Sequence, residues 1–365
     1  MGVPYFQIKD TLEKVGAVCF SSHFALYRDV SRRVFEIVRE TFPDMEQYSI
    51  DESFFTLVSE DPDVVATKLK RQVERCVGIP VSVGVSSSKT RAKYANSVAK
   101  RTGGIAVWGD ELWSVNADKI RLVEIWGVGA GRAREFSQHG IITVLDLLQL
   151  ETATVTSLFG IEGLRLRDEL AGRPVFDFKT RREPQKSVMS TRSFSTTISD
   201  YFLLEEAIFY HLYQGVKDLE MMNLVANSLR IIIAPSRHGD FVLQGASKEV
   251  LLPLATKDLF VLQQVAKDLL KTCFKAGVPY KKAGIVLSGL VSPEGMTESL
   301  FSSKQDKSGS TSELSKTILA INKRHGKDLL QLGILNSKTP RWQNKKSLTS
   351  PSYTTDWSEL KVVKA

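Results

Sequence analysis

The stretch Gln47-Tyr48-Ser49-Ile50-Asp51-Glu52-Ser53-Phe54-Phe55-Thr56-Leu57 decides how this chain reads, because two adjacent carboxylates interrupt a pair of apolar strand segments. Neighbouring side chains on a continuous strand point to opposite faces, so Asp51 and Glu52 can serve one ion only if the chain turns between the strands. A hairpin tip meets that condition. Two acids there, carried on a buried sheet, suit Mg²⁺ held against a triphosphate, since Mg²⁺ takes carboxylate, water and phosphate oxygens. A solvated Asp-Glu turn is the plain alternative, and the flanking sequence has to decide between them.

Upstream, Val30, Val34, Ile37, Val38 and Phe42 recur at helical spacing over about 28–42, and Pro43-Asp44 ends that helix. Downstream, Asp61-Pro62 opens a second helix carrying Val65, Leu69, Val73 and Val77, which Gly78 closes; Ile79 to Val85 reads as a strand. The order helix, strand, strand, helix, strand packs as helices covering a small mixed or antiparallel sheet. The next helix runs from a Ser88 cap to Arg101 and sets Lys89, Lys93, Asn96 and Lys100 on one stripe. Ala92, Ala95 and Ala99 beside it let the helix lie close to the sheet, leaving the lysines free to hold a triphosphate. A solvated lysine face is the competing reading.

Further along, Leu122-Val123-Glu124-Ile125-Trp126-Gly127-Val128-Gly129-Ala130-Gly131-Arg132-Ala133 reads as a helix-hairpin-helix. Its Gly127-Val128-Gly129 turn has little side chain to obstruct the backbone, so N–H groups and a helix N-terminus can face a nucleic-acid phosphate. Arg132 and Arg134 add charge without base specificity. The segment follows a short helix, not a strand, which counts against a dinucleotide-binding fingerprint. Lys179, Arg181, Arg182, Lys186 and Arg192 then form a basic strap suited to a duplex backbone. Beyond it, strand-like and helical segments alternate as βαββαβ, over 188–198, 201–219, 228–234, 241–250, 257–274 and 283–290. From Val291 onward the sequence reads as a linker with partner-binding segments, including a helix around 314–323.

The 365 residues imply several domains, and 49 Lys and Arg against 41 Asp and Glu give a net charge of +8, compatible with a polyanionic partner. Cys19, Cys76 and Cys273 are too scattered for a disulfide framework or structural zinc. The five histidines form no zinc-spaced pair, and no serine or cysteine has a triad partner. There is no long apolar run and no signal-peptide pattern, and Phe6 stands where a myristoylation signal needs Ser or Thr. A cytoplasmic location without membrane contact is expected.

In order and spacing, Tyr48-Ser49-Ile50-Asp51-Glu52, Gly84-Val85-Ser86-Ser87-Ser88-Lys89-Thr90-Arg91-Ala92-Lys93-Tyr94-Ala95-Asn96 and Ile125-Trp126-Gly127-Val128-Gly129 resemble the Y-family translesion DNA polymerases. Val18-Cys19-Phe20-Ser21-Ser22 and Leu348-Thr349-Ser350-Pro351-Ser352-Tyr353-Thr354-Thr355 resemble the UmuC type, the catalytic subunit of bacterial DNA polymerase V.

The resemblance implies an α+β multidomain fold. It places partial fingers and palm at 1–117, a helix-hairpin-helix thumb at 118–178, a βαββαβ little finger at 179–291 and a flexible partner-binding tail at 292–365. It implies error-prone synthesis past damaged bases in the SOS response, with Asp51 and Glu52 as catalytic Mg²⁺ ligands. Lys100 and Lys93 would bind the triphosphate, and Gly127, Gly129, Arg132 and Arg192 the primer-template. Gly295-Met296-Thr297-Glu298-Ser299-Leu300-Phe301 resembles a sliding-clamp peptide anchored by Leu300 and Phe301, with Thr297 where Gln is expected. A UmuD-type dimer and the RecA filament are the other implied partners.

The chain departs from the family pattern at its start. These polymerases open with a strand bearing Asp-x-Asp or Asp-x-Asn, and here the sequence begins inside what resembles the fingers. Asp10, Asp29 and Asp44 are poor substitutes, lying in helix-like segments and a turn. Two-metal phosphoryl transfer needs anionic ligands bridging both ions, so feeble catalysis is expected. A catalytically inactive DNA-binding or accessory protein is therefore the second reading, and a helix-hairpin-helix nuclease subunit the third.

Overall fold

Helices α1 (Tyr5–Lys14) and α2 (Phe24–Thr41) open the chain, and α2 buries Phe35 and Val38 against Leu69 and Val73 of α3 (Pro62–Val77). The apolar spacing marked Val38, Leu69 and Val73 as inward-facing but not Phe35, and it set the two helices on a sheet rather than on each other. The ends of α3 are set by local chemistry: Asp61 accepts from Val64 N at 3.1 Å, Pro62 sits in the first turn, and Gly78 closes the helix at φ +78°. In the computed structural model, residues 3–179, 184–236, 245–295, 308–325, 329–330, 348–360 and 362 are described. They group into two units, Met1–Arg182 with Leu348–Ala365, and Glu183–Ser347.

In the first unit, β1 (Glu46–Gln47) pairs antiparallel with β2 (Ser53–Phe54), and β3 (Val83–Val85) pairs in parallel with β4 (Ile105–Val107). The single small sheet expected under the acidic hairpin is not formed among the described residues. Two separate two-stranded sheets stand in its place. Strands this short carry few ladder bonds, and a cleft lies between them.

Helix α4 (Lys89–Ala99) starts at Ser88, whose Oγ accepts from Arg91 N at 3.3 Å. It packs with its backbone almost against β3: a Cβ on Gly84 would stand 2.1 Å from Asn96 N. Ala95 and Ala99 are fully buried in that approach, as their small size suggested. Helices α5 (Asp110–Asn116), α6 (Ala130–Gln138), α7 (Val144–Gln149) and α8 (Thr152–Leu170) enclose a second core that includes Trp113, Leu122, Phe136 and Leu147.

The second unit follows the expected βαββαβ order: β5 (Ser187–Ile198), α9 (Tyr201–Met222), β6 (Val225–Pro235), β7 (Ala246–Thr256), α10 (Leu259–Cys273) and β8 (Tyr280–Val291). The antiparallel sheet runs β5-β8-β6-β7, with α9 and α10 packed on it. The third strand lies later than the 241–250 the sequence suggested, and 237–244 fall outside the described residues. Helix α11 (Ser308–His325) covers the expected 314–323 and joins this core through buried Ile318, while Asn322 Nδ2 donates to Tyr213 OH at 2.7 Å. No helix among the described residues is long and apolar enough to cross a membrane.

Candidate functional site

The acidic pair sits on a true turn. Tyr48 N and Ser49 N both donate to Glu52 O, at 3.0 and 3.1 Å, and Ser31 Oγ on α2 donates to Ile50 O. Asp51 is exposed and accepts from Ser49 Oγ at 2.5 Å. Glu52 is half-buried and ion-paired with Lys93 at 2.5 Å. The hairpin and α4 are thereby tied together at the acidic tip.

The expected lysine stripe divides into different roles. Lys93 Nζ, besides holding Glu52, lies 5.6 Å from the Tyr48 ring centroid and 5.9 Å from that of Trp126. Asn96 Oδ1 accepts from Ser82 Oγ at 2.6 Å. Lys100 is exposed at the C-terminal end of α4. Asp51, Glu52, Lys93 and Lys100 all line a cleft of about 730 Å³ floored by apolar side chains of α2 and α3.

Lys89 is a correction to that stripe, since it does not face the cleft. It is buried, paired with Glu46 across the hairpin, and donates to Asp177 O at 2.6 Å. Sequence reasoning also passed over Glu46, which accepts from Lys179 N at 3.1 Å, and Glu169. Buried Glu169 accepts from Thr90 N at 3.0 Å, Val175 N at 2.8 Å and Phe176 N at 3.1 Å. Only tertiary packing makes these carboxylates special, so no local signal marked them. The nearest hint was the order Glu46-Gln47 entering a strand where a buried edge would exclude an unpaired charge.

The donor set at the tip has the chemistry that Mg²⁺ takes. An exposed carboxylate beside a second, partly exposed one meets the usual protein share of such a site, one or two carboxylates with phosphate and water completing the shell. The residues therefore fit a single nucleotide-bound ion. Among the described residues no group of three or more His, Cys, Asp or Glu is placed to hold a metal.

The glycine turn is as anticipated in its backbone: Gly127 has φ +86°, a conformation that side-chain-bearing residues rarely take, and Gly129 precedes the first turn of α6. No heavy atom lies within 4 Å of a Cβ built on either glycine, so the outer side of the turn is open. The first limb is shorter than expected, a single 3-10 turn at Leu122–Glu124. Arg132 lies half-buried on α6, its guanidinium 5.8 Å from the Phe136 ring centroid. Arg192 is a correction. It shares the strand parity of buried Val188 and Phe194, so it faces the helical layer and not the open face of the sheet. There it adds its charge to the burial that pushes His211 down to about 4. Leu300 and Phe301 lie outside the described residues.

The impB/mucB/samB family model matches residues 1–97, and the C-terminal domain of the same family matches residues 185–300, together more than half of the chain. The chain belongs to the impB/mucB/samB family. A domain of unknown function, DUF4113, matches residues 312–363. Among relatives of this impB/mucB/samB chain, Protein UmuC of Salmonella typhimurium is 28% identical over 380 residues, covering 100% of this chain and 88% of the relative. DNA polymerase IV of Desulfatibacillum aliphaticivorans is 27% identical over 277 residues, covering 74% of this chain and 67% of the relative. Among solved structures, a Dbh–Dpo4 Y-family DNA polymerase chimera superposes with a TM-score of 0.65 at 18% identity, covering 80% of this chain and 83% of that one. Within its family the chain is of the UmuC type, with a Y-family polymerase fold.

Proposed function

We propose that this chain is an error-prone translesion DNA polymerase of the SOS response, with its chemistry centred on the acidic hairpin. One observation carries the reading: Asp51 and Glu52 stand at a turned tip on the same cleft as Lys93 and Lys100. Asp51, exposed and bonded only within its own turn, is the more available metal ligand. Glu52 is held ready by Lys93, which can release it when an incoming triphosphate offers a stronger anion to the ammonium. Lys100, exposed at the rim, binds the outer phosphates. Bound Mg²⁺ supplies charge neutralisation of the triphosphate and of the leaving pyrophosphate. The open Gly127–Gly129 turn and Arg132 hold the primer-template backbone through N–H groups and charge. A sliding clamp engaging Leu300 and Phe301, a UmuD-type dimer and the RecA filament belong to the same proposal.

A second reading rests on a specific observation. Glu52 is already neutralised by Lys93, and no third carboxylate joins the pair among the described residues. On that reading the chain binds damaged DNA or assists a complete enzyme without transferring nucleotides itself. Primer extension by the purified chain, with Mg²⁺ and all four deoxynucleoside triphosphates, separates the two. Extension that disappears in both Asp51→Ala and Glu52→Ala is the expected outcome. DNA binding with no extension by the parent chain would leave the accessory reading in its place.

A further inference from the structure

A second cavity in the first unit, of about 330 Å³, shares no lining residue with the cleft at the hairpin. Its wall carries three guanidiniums, Arg91, Arg167 and Arg173, with the indole of Trp113 and the apolar Leu145 and Leu148. No carboxylate residue lines it. Trp113 is only 1% exposed, yet its Nε1–H has no hydrogen-bond partner, and the Nε–H of Arg167 is likewise buried and unpartnered. Buried N–H groups are almost always satisfied, and here two orphan donors belong to residues that line the same cavity.

Arg91 is held by Asp110, by Leu170 O at 2.9 Å and by Ser87 Oγ at 3.1 Å, and Arg173 is held by Asp168. Arg167 has only Thr152 Oγ1, 3.3 Å from its Nη1. One positive charge is left without a carboxylate. The C-terminal end of α8 lies alongside, but its carbonyls are occupied: Arg167 O by Ala171 N, Asp168 O by Arg173 N, Glu169 O by Ser88 Oγ, and Leu170 O by Arg91 Nε. The repulsion a bare helix end would exert on an anion is thereby reduced.

We infer that this cavity is an oxyanion site for a phosphate group. A water molecule in the cavity would leave the Arg167 charge uncompensated. A carboxylate can satisfy the guanidinium fork, but its two oxygens lie in one plane. A tetrahedral phosphate can meet the Nε edge of Arg167 with two oxygens and turn a third toward the indole N–H. The residual charge matches one phosphodiester of a nucleic-acid strand, and inorganic phosphate offers the same chemistry from a free source. The site does not depend on the acidic hairpin, so a chain unable to extend a primer would still bind.

The test uses the ¹⁵N-labelled full chain, in which the Trp113 indole resonance is identified by its loss in Trp113→Phe. Inorganic phosphate and the dinucleotide thymidylyl-thymidine are titrated separately, against chloride at matched ionic strength. A saturable shift of the Trp113 signal is expected, weakened roughly tenfold or more in Arg167→Gln. Arg167→Lys, which keeps the charge but loses the fork, should fall between the two and serves if the glutamine variant fails to fold. A response to the dinucleotide alone assigns the site to a nucleic-acid strand, and a response to inorganic phosphate assigns it to a free anion as well. The inference is overturned if neither probe moves the signal saturably, or if a folded Arg167 variant titrates like the parent.

Discussion

Lys89 and Glu46 show how one residue's role depends on its surroundings. On the sequence Lys89 is the first lysine of a basic stripe, while in the fold it is sealed against Glu46 and backed by the Phe54 and Phe178 rings at 5.4 and 4.5 Å. Truncating one member of a buried pair strands the other charge, so Lys89→Met should destabilise the chain by roughly 3–5 kcal/mol, read as a lower urea midpoint. The same substitution at exposed Lys100 should change the unfolding free energy by no more than about 0.5 kcal/mol. His211 gives a second residue-scale prediction. Burial, helped by Arg192, holds it at about 4 in the folded chain, with Ser190 Oγ 2.8 Å from its Nδ1, against an ordinary value of 6.5. Between those values the unfolded chain binds a proton that the folded chain refuses. Stability present above about pH 6.5 is therefore lost as pH falls toward 4, a loss on the order of 3 kcal/mol. Urea unfolding at about pH 7 and about pH 4.5 should show this gap, and His211→Gln should narrow it.

At the scale of elements, the seat of α4 matters most to the site, because that helix carries both Lys93 and Lys100. Its closeness to β3 depends on Gly84, where any Cβ would meet Asn96 N at 2.1 Å and Ala92 O at 2.6 Å. Those are backbone atoms that cannot rotate away. Gly84→Ala should cost about 1–3 kcal/mol in denaturant unfolding and shift the helix that presents Lys93 to Glu52. The alanines of this helix predicted the close approach, and Asp61, Pro62 and Gly78 predicted both ends of α3. The sheet beneath the hairpin was misjudged for a reason at the same scale. Strand periodicity shows where a segment can be extended, but pairing requires a neighbour at hydrogen-bonding distance. Phe54 finds one in Glu46, Val83 finds one in Ile105, and no ladder among the described residues links the two pairs.

For the molecule as a whole, the net charge of +8 and the open glycine turn predict nucleic-acid binding dominated by phosphate contacts. Affinity for a primer-template, followed by fluorescence anisotropy, should fall by about tenfold or more between roughly 50 and 200 mM salt. A flat salt response would count against backbone gripping. The sequence alone determined helices such as α2, α3 and α4, the caps of α3 and the Ser88 cap of α4, the turn at Asp51-Glu52 and the βαββαβ order, because caps, turns and periodicity act between residues close along the chain. It also determined which lysines were available to a phosphate, but not which would be free. Tertiary structure alone decided that Lys89 is spent on Glu46, that Lys93 is shared with Glu52, that Arg192 turns inward and that three arginines meet beside Trp113. The two lysine outcomes are ion pairs between groups far apart in the chain, and the placing of the arginines likewise depends on which distant segments pack together. Such pairings arise only where folding removes water and leaves each charge to whatever partner packing has brought within reach.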